Sequence, residues 1–146
     1  KLVIFTGPPG DEKRHLARML ERHLFRKHCN TYYLGIGNVF EDLGFDERTR
    51  SISRDEHIQQ LGELARIMTD AGLLLITTLS GVDDYDLERL KVLNEPNELF
   101  IVNVGENIFS RFPVDVQLPA GGDAREAINA VIRELGTREV LFDYCI

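Results

Sequence analysis

The chain has 146 residues, 43% of them hydrophobic and 28% charged, ordinary values for one globular unit that buries roughly two-thirds of its unfolded surface. A formal net charge of -7 with no long basic run argues against a nucleic-acid partner. No apolar stretch nears the ~20 residues of a membrane-spanning helix, and no signal-peptide pattern opens the chain.

In chain order, Leu2-Val3-Ile4-Phe5-Thr6 is a short apolar run rich in β-branched and aromatic residues, which predicts a buried strand. Gly7-Pro8-Pro9-Gly10 turns the chain, and a helix is expected over residues 11–27 with Leu16, Met19, Leu20, His23 and Leu24 on one face. Strand, glycine loop and a helix opening with a lysine form the layout of a phosphate-binding P-loop. Gly7 starts the pattern G-x-x-x-x-G-K-[ST] and Lys13 fills the lysine slot, but Glu12 stands in the second glycine slot and Arg14 in the hydroxyl slot. A carboxylate there brings bulk and like charge to a polyanion. Arg14 removes the hydroxyl that ordinarily holds phosphate-bound magnesium.

Thr31-Tyr32-Tyr33-Leu34 predicts a second strand and Gly35-Ile36-Gly37-Asn38 a turn out of it; residues 41–54 read as charged and irregular. A long helix is expected over 55–71, with Ile58, Leu61, Ala65 and Met68 on one stripe and Gly72 as its C-terminal cap. Residues 73–78, without polar alternation, suit a central parallel strand covered on both faces. A loop over 80–84, a short helix over 85–93 and a strand over 99–104 follow. A shorter, alternating strand over 114–118 is placed near a sheet edge. Asp123, as N-cap with Glu126 three residues on, opens the last helix. Val140-Leu141-Phe142 is a candidate final strand. Strands alternating with helices predict a three-layer α/β fold with a mainly parallel central sheet. Ligands of such folds sit beyond the carboxyl ends of the strands, here the loops at 7–13, 35–40, 79–84 and 105–112.

The segment Leu61-Gly62-Glu63-Leu64-Ala65-Arg66-Ile67-Met68-Thr69-Asp70-Ala71-Gly72-Leu73-Leu74-Leu75-Ile76-Thr77 resembles a helix–strand segment of the adenylylsulfate kinases. Leu43-Gly44-Phe45, Arg54-Asp55-Glu56-His57-Ile58 and Asn38-Val39 resemble further motifs of that family in the same order, so the likeness covers roughly residues 2 to 80. The resemblance implies a P-loop kinase fold, ATP as phosphoryl donor with magnesium, and adenylyl sulfate as acceptor at its 3′-hydroxyl. It also exposes departures. The two aspartates of the family's Asp-Gly-Asp motif fall on Gly35 and Gly37, the motif's arginine on Phe40, and an Arg-Arg pair on Gln59-Gln60. A basic stretch becomes Thr78-Leu79-Ser80-Gly81-Val82-Asp83, and residues 105–113 replace the family's lid. Without those carboxylates, cations and lid, proton handling and transition-state charge stabilisation weaken together.

The expectation is therefore a single adenylylsulfate-kinase-like domain over 1–146, cut from a longer polypeptide. It is read as a degenerate, inactive member with a regulatory, sulfonucleotide-sensing or structural role in a sulfate-activation protein. The alternatives are an active kinase, with Lys13 helped by Asp83 or Asp84, and a protein-interaction module without ligand. Candidate site residues are Gly7, Pro8, Pro9, Gly10 and Lys13 for a nucleotide, and Asn38, Phe45 and Arg54 for a substrate-like pocket. ATP and magnesium belong only if the loop still functions. Phe45 would stack on an adenine or plug a core edge, Arg54 would hold an anion or lie solvated, and Asn38 would bond a ligand or cap its turn. Gly72, Ala65 and Asp70 are explained by helix ending and packing. Expected partners are a sulfonucleotide, other domains of a parent chain or further copies of itself. His15, His23, His28 and Cys29 lack a ligand pattern for metal. Asp83, Asp84 and Asp86 would chelate a cation or, as acids at the start of a short helix, serve its dipole. Cys29 and Cys145 share no disulfide spacing, which makes a reducing cytoplasm the default.

Overall fold

Leu2–Gly7 forms β1, the central strand of a five-stranded sheet in the order β2-β3-β1-β4-β5, and every strand pairing is parallel. The other strands are β2 (Thr31–Leu34), β3 (Leu74–Ser80), β4 (Leu99–Val104) and β5 (Val116–Leu118); the helices are α1 (Glu12–Arg26), α2 (Glu47–Asp70), α3 (Asp84–Asn94) and α4 (Ala124–Thr137). This computed structural model describes residues 1–35, 47–106, 109–138 and 144–145, and for 47–53 the helix alone.

The unalternated apolar strands follow from two cores, one on each face of the sheet. Val3 and Phe5 point with Ile76, Phe100 and Val102 toward α1 and α4, packing on Leu16, Leu20, Leu24, Val131 and Leu135. Leu2 and Ile4 point the other way with Leu75 and Ile101, toward Ile58, Leu61 and Ala65 of α2 and Leu87 and Leu90 of α3. Successive side chains leave a strand on opposite faces, so a strand covered twice is apolar at every position. Each fully buried aliphatic or aromatic side chain contributes roughly 1.5–3 kcal/mol. Gly62 sits where α2 crosses α3, and a Cβ there would lie 2.6 Å from Leu93 Cβ. The glycine sets how closely the two helices approach.

The three-layer parallel α/β architecture is as expected, with β5 at a sheet edge. Two boundaries differ. Residues 47–54, expected to be irregular, form the first turns of α2; they contain no Gly or Pro, and a charged segment propagates as helix when nothing breaks it. β3 runs on through Leu79 and Ser80, because Ser80 is in register with Gly7 at the end of β1. Gly72 closes α2 with φ of 90°, and the Leu73 N–H donates to the Met68 carbonyl, a Schellman-type ending. The proposed strand at Val140-Leu141-Phe142 lies outside the described residues.

The expectation of unpaired thiols is corrected. Cys29 and Cys145 are bonded as a disulfide across 116 positions of sequence. They meet as an antiparallel bridge at the entry to β2, where the Asn30 N–H also donates to the Tyr144 carbonyl at 2.7 Å. Spacing in sequence carries no record of that closure, which the fold alone produces. Among the described residues no helix is long and apolar enough to cross a membrane.

Candidate functional site

The carboxyl ends of β1, β3 and β4 meet around a cavity of about 230 Å³. Its walls are the stretch from Thr6 to Pro9, then Gly81 and Val82 after β3, then Glu106 and Phe109 after β4. Gly7 is required here. Its φ is 149°, and a Cβ would collide with the Val104 carbonyl oxygen of the neighbouring strand. Gly10, with φ of 142°, makes the second bend, and α1 starts two residues on at Glu12. The N–H groups of that first helical turn have no helical partner and carry the positive end of the dipole.

Lys13 is buried, and its ammonium donates to the Pro8 carbonyl within the loop. The guanidinium of Arg14 faces the Asp11 carboxylate at 3.6 Å. Glu12 swings out of the loop, and its carboxylate accepts the Gly121 N–H at 2.8 Å, tying α1 to the connection between β5 and α4. Beneath the cavity, Thr6 Oγ1 donates to Asn103 Oδ1 at 2.9 Å, while Asn103 Nδ2 donates to the Gly105 carbonyl at 2.8 Å and to Gln117 Oε1 at 3.1 Å. Thr6 and Asn103 are fully buried. A satisfied buried network of this kind holds strand ends in fixed relation.

Arg54 is brought to the edge of the same cleft, where its guanidinium donates to the Gly81 carbonyl and to the buried Asp86 carboxylate. Burial pushes Asp86 above the ordinary carboxylate range, opposed by the Asp83 N–H and the charge of Arg54. Asp83 and Asp86 form a reciprocal capping box at the start of α3. Asp84 accepts the N–H groups of Ser110, Arg111 and Phe112 at 3.1, 2.9 and 2.7 Å. The bond from Phe112 and then that from Ser110 hold its carboxyl below the usual value. The acids after β3 thus do more than serve a helix dipole.

Of the sequence-derived candidates, Gly7, Pro8, Pro9, Gly10 and Lys13 form one loop, with Arg54 across the cavity from it; Asn38 and Phe45 lie outside the described residues. Glu106, Phe109 and the Thr6–Asn103–Gln117 network were not picked out from sequence. A polar Asn103 inside an otherwise apolar strand was the signal available. The position of the magnesium-holding hydroxyl carries Arg14, and among the described residues no three His, Cys, Asp or Glu side chains gather as a metal site.

A family model for adenylylsulphate kinase matches residues 1–117, leaving α4 and Cys145 beyond the matched region. The adenylyl-sulfate kinase of Geotalea daltonii is 37% identical over 100 residues, covering 68% of this chain and 49% of the relative. That of Shewanella pealeana is 35% identical over 107 residues, covering 73% and 52%. The chain spans about half the length of the curated relatives it matches. Among solved structures, the Mycobacterium tuberculosis APS kinase in complex with AMPPNP and APS superposes with a TM-score of 0.75 at 20% identity, covering 93% of this chain and 97% of that one. The hexameric APS kinase of Thiobacillus denitrificans gives 0.71 at 17% identity, covering 94% and 29%. At those identities the structures share the fold.

Proposed function

Because the chain belongs to the adenylylsulphate kinase family, we propose that it is a kinase-fold domain that binds a sulfonucleotide at the carboxyl ends of β1 and β3 without transferring phosphate. Its role is then regulatory, sensing or structural within a larger sulfate-activation protein. One observation carries the reading: the acids that follow β3 are all engaged in holding the fold. Asp83 caps α3, Asp86 answers Arg54, and Asp84 binds three successive backbone N–H groups. A general base must be able to reach the hydroxyl it deprotonates. The family's own motif carboxylates are replaced by Gly35 and Gly37. The loop of Gly7, Gly10 and Lys13 keeps the shape of an anion cradle, which supports binding more than chemistry.

Glu106 favours a second reading. It is an exposed carboxylate on the rim of the cavity, placed to serve as the base of an active kinase. Titration calorimetry of the purified chain with ATP–magnesium, adenylyl sulfate and phosphoadenylyl sulfate, with a phosphoryl-transfer assay alongside, separates the two. Saturable sulfonucleotide binding with no turnover is expected. Turnover abolished by Glu106→Gln would establish the active kinase instead, and no binding by any of the three would leave an interaction module.

A further inference from the structure

We propose that the groove between the last turns of α1 and the edge strand β2 is a docking site for an extended acidic peptide segment, one with carboxylates two residues apart and an apolar side chain between them. The groove, of about 380 Å³, is lined by Glu21, Arg22, Phe25, Arg26, Thr31 and Tyr32. It shares no residue with the cavity at the carboxyl ends of β1, β3 and β4, so the inference goes beyond the nucleotide-site reading and stands apart from it.

Arginine recurs every fourth residue along α1, at Arg14, Arg18, Arg22 and Arg26, and residues four apart are neighbours on a helix surface. The first two are answered within the chain: Arg14 faces Asp11, and Arg18 lies over the Tyr33 ring at 5.5 Å. Among the described residues Arg22 and Arg26 have no ion pair or ring partner, although the chain carries 24 acids against 17 lysines and arginines. The acid that lines the groove is already engaged, since the Glu21 carboxylate accepts the Tyr33 N–H. Beside the two arginines Phe25 is 72% exposed, and on the β2 wall Tyr32 is 50% exposed. Arginine and aromatic side chains are enriched where proteins recognise one another, and clustered arginines recognise acidic motifs. The spacing selects the ligand. Arg22 and Arg26 lie about 6 Å apart along the helix axis, and carboxylates two residues apart on an extended chain share a face and stand about 7 Å apart. Each guanidinium can then take one carboxylate, while the residue between the acids turns to the opposite side, toward Tyr32. β2 has a neighbour strand on one side only, so its outer edge carries backbone groups that an added strand would pair. The turn joining the two walls is tied down at Cys29 by its bond to Cys145, which keeps the groove formed before a peptide arrives.

The test is fluorescence anisotropy of the full chain with a fluorescein-labelled Glu-Leu-Glu-Leu-Glu peptide, set against a Gln-Leu-Gln-Leu-Gln peptide. Wild type is compared with the double variant Arg22→Gln, Arg26→Gln and with Phe25→Ser, all at exposed positions, after circular dichroism has shown equal folding. Saturable binding of the acidic peptide is expected. It should weaken roughly tenfold in the double variant, the scale of two exposed ion pairs, and roughly fivefold in Phe25→Ser. Added salt should weaken binding to wild type and leave the double variant nearly unchanged. Equal binding of the glutamine peptide, or equal binding by the double variant, overturns the proposal, because the arginines would then not read charge. The absence of binding at millimolar acidic peptide also overturns it. So does retention of the chain on phosphatidylserine vesicles that the peptide does not displace, which would make the arginine row a lipid-facing surface.

Discussion

At the end of β1 the main chain turns through Gly7 at φ 149°, and the missing side chain leaves room for the Val104 carbonyl oxygen. Both conditions select glycine: L-residues are strained at that φ, and a Cβ would meet fixed backbone, not a movable side chain. Gly7→Ala is expected to cost about 1–3 kcal/mol of stability, measured from urea unfolding midpoints. A variant as stable as wild type would show that the bend relaxes freely. A few residues away, Lys13 is almost fully buried and pinned to its own loop, so a phosphate must compete with the Pro8 carbonyl for it. Arg54 is likewise engaged. Its bond to Asp86 compensates a carboxylate that burial would otherwise drive toward its neutral form. An anion that recruited Arg54 would have to uncover that acid, so this arginine is better read as a support of the α2–α3 pair than as a ligand hand.

Among the elements, α3 and the segment after β4 depend on each other through Asp84. One carboxylate receives the Ser110, Arg111 and Phe112 N–H groups, and thereby fixes the stretch that begins with the cavity residue Phe109. Its pKa is lowered on folding. The stabilisation is therefore complete above the unfolded carboxyl value of about 3.9 and is lost as pH falls through the lower folded value. Asp84→Asn removes the charge and leaves the shape. The stability difference between wild type and this variant should be full near neutrality and should shrink below about pH 4, read from thermal melts at several pH values. A difference that stays constant down to pH 2 would mean that the charge of Asp84 contributes nothing. Near neutrality the Phe112 amide should also exchange faster in the variant, since an uncharged amide oxygen is a weaker acceptor than the carboxylate.

Across the whole molecule, the disulfide joins the entry of β2 to the last described residues, and 116 positions of sequence separate its ends. Closing so long a loop restricts the unfolded chain more than the folded one. Cys145→Ser should therefore lower the unfolding free energy by about 2–4 kcal/mol, measured by urea denaturation. Wild type in reductant should match the variant. If oxidised wild type, reduced wild type and Cys145→Ser share one midpoint, the bond contributes no stability. The family match stops at residue 117, so Cys145 and α4 belong to the part of the chain that the family pattern does not reach, while Cys29 lies within it.

The doubly covered strands were legible in the residues themselves. Burial on two faces selects apolar side chains over Leu2–Phe5 and Leu99–Val102, and that pattern needs no partner to be read. The same holds for the glycine loop, for Asp123 as a helix start and for Gly72 as a helix stop, because local backbone chemistry decides them. The start of α2 at Glu47 is not legible in the same way, because a charged segment without apolar periodicity resembles a loop. What only the tertiary structure decided are the pairings between residues far apart in sequence. Cys29 met Cys145, Glu12 met Gly121, Arg54 met Asp86, and Asp84 met the amides of 110–112. Each depends on loop closures set by the global packing of two helical layers on one sheet. A residue type states what a side chain can bond, while the fold determines which partner comes within reach.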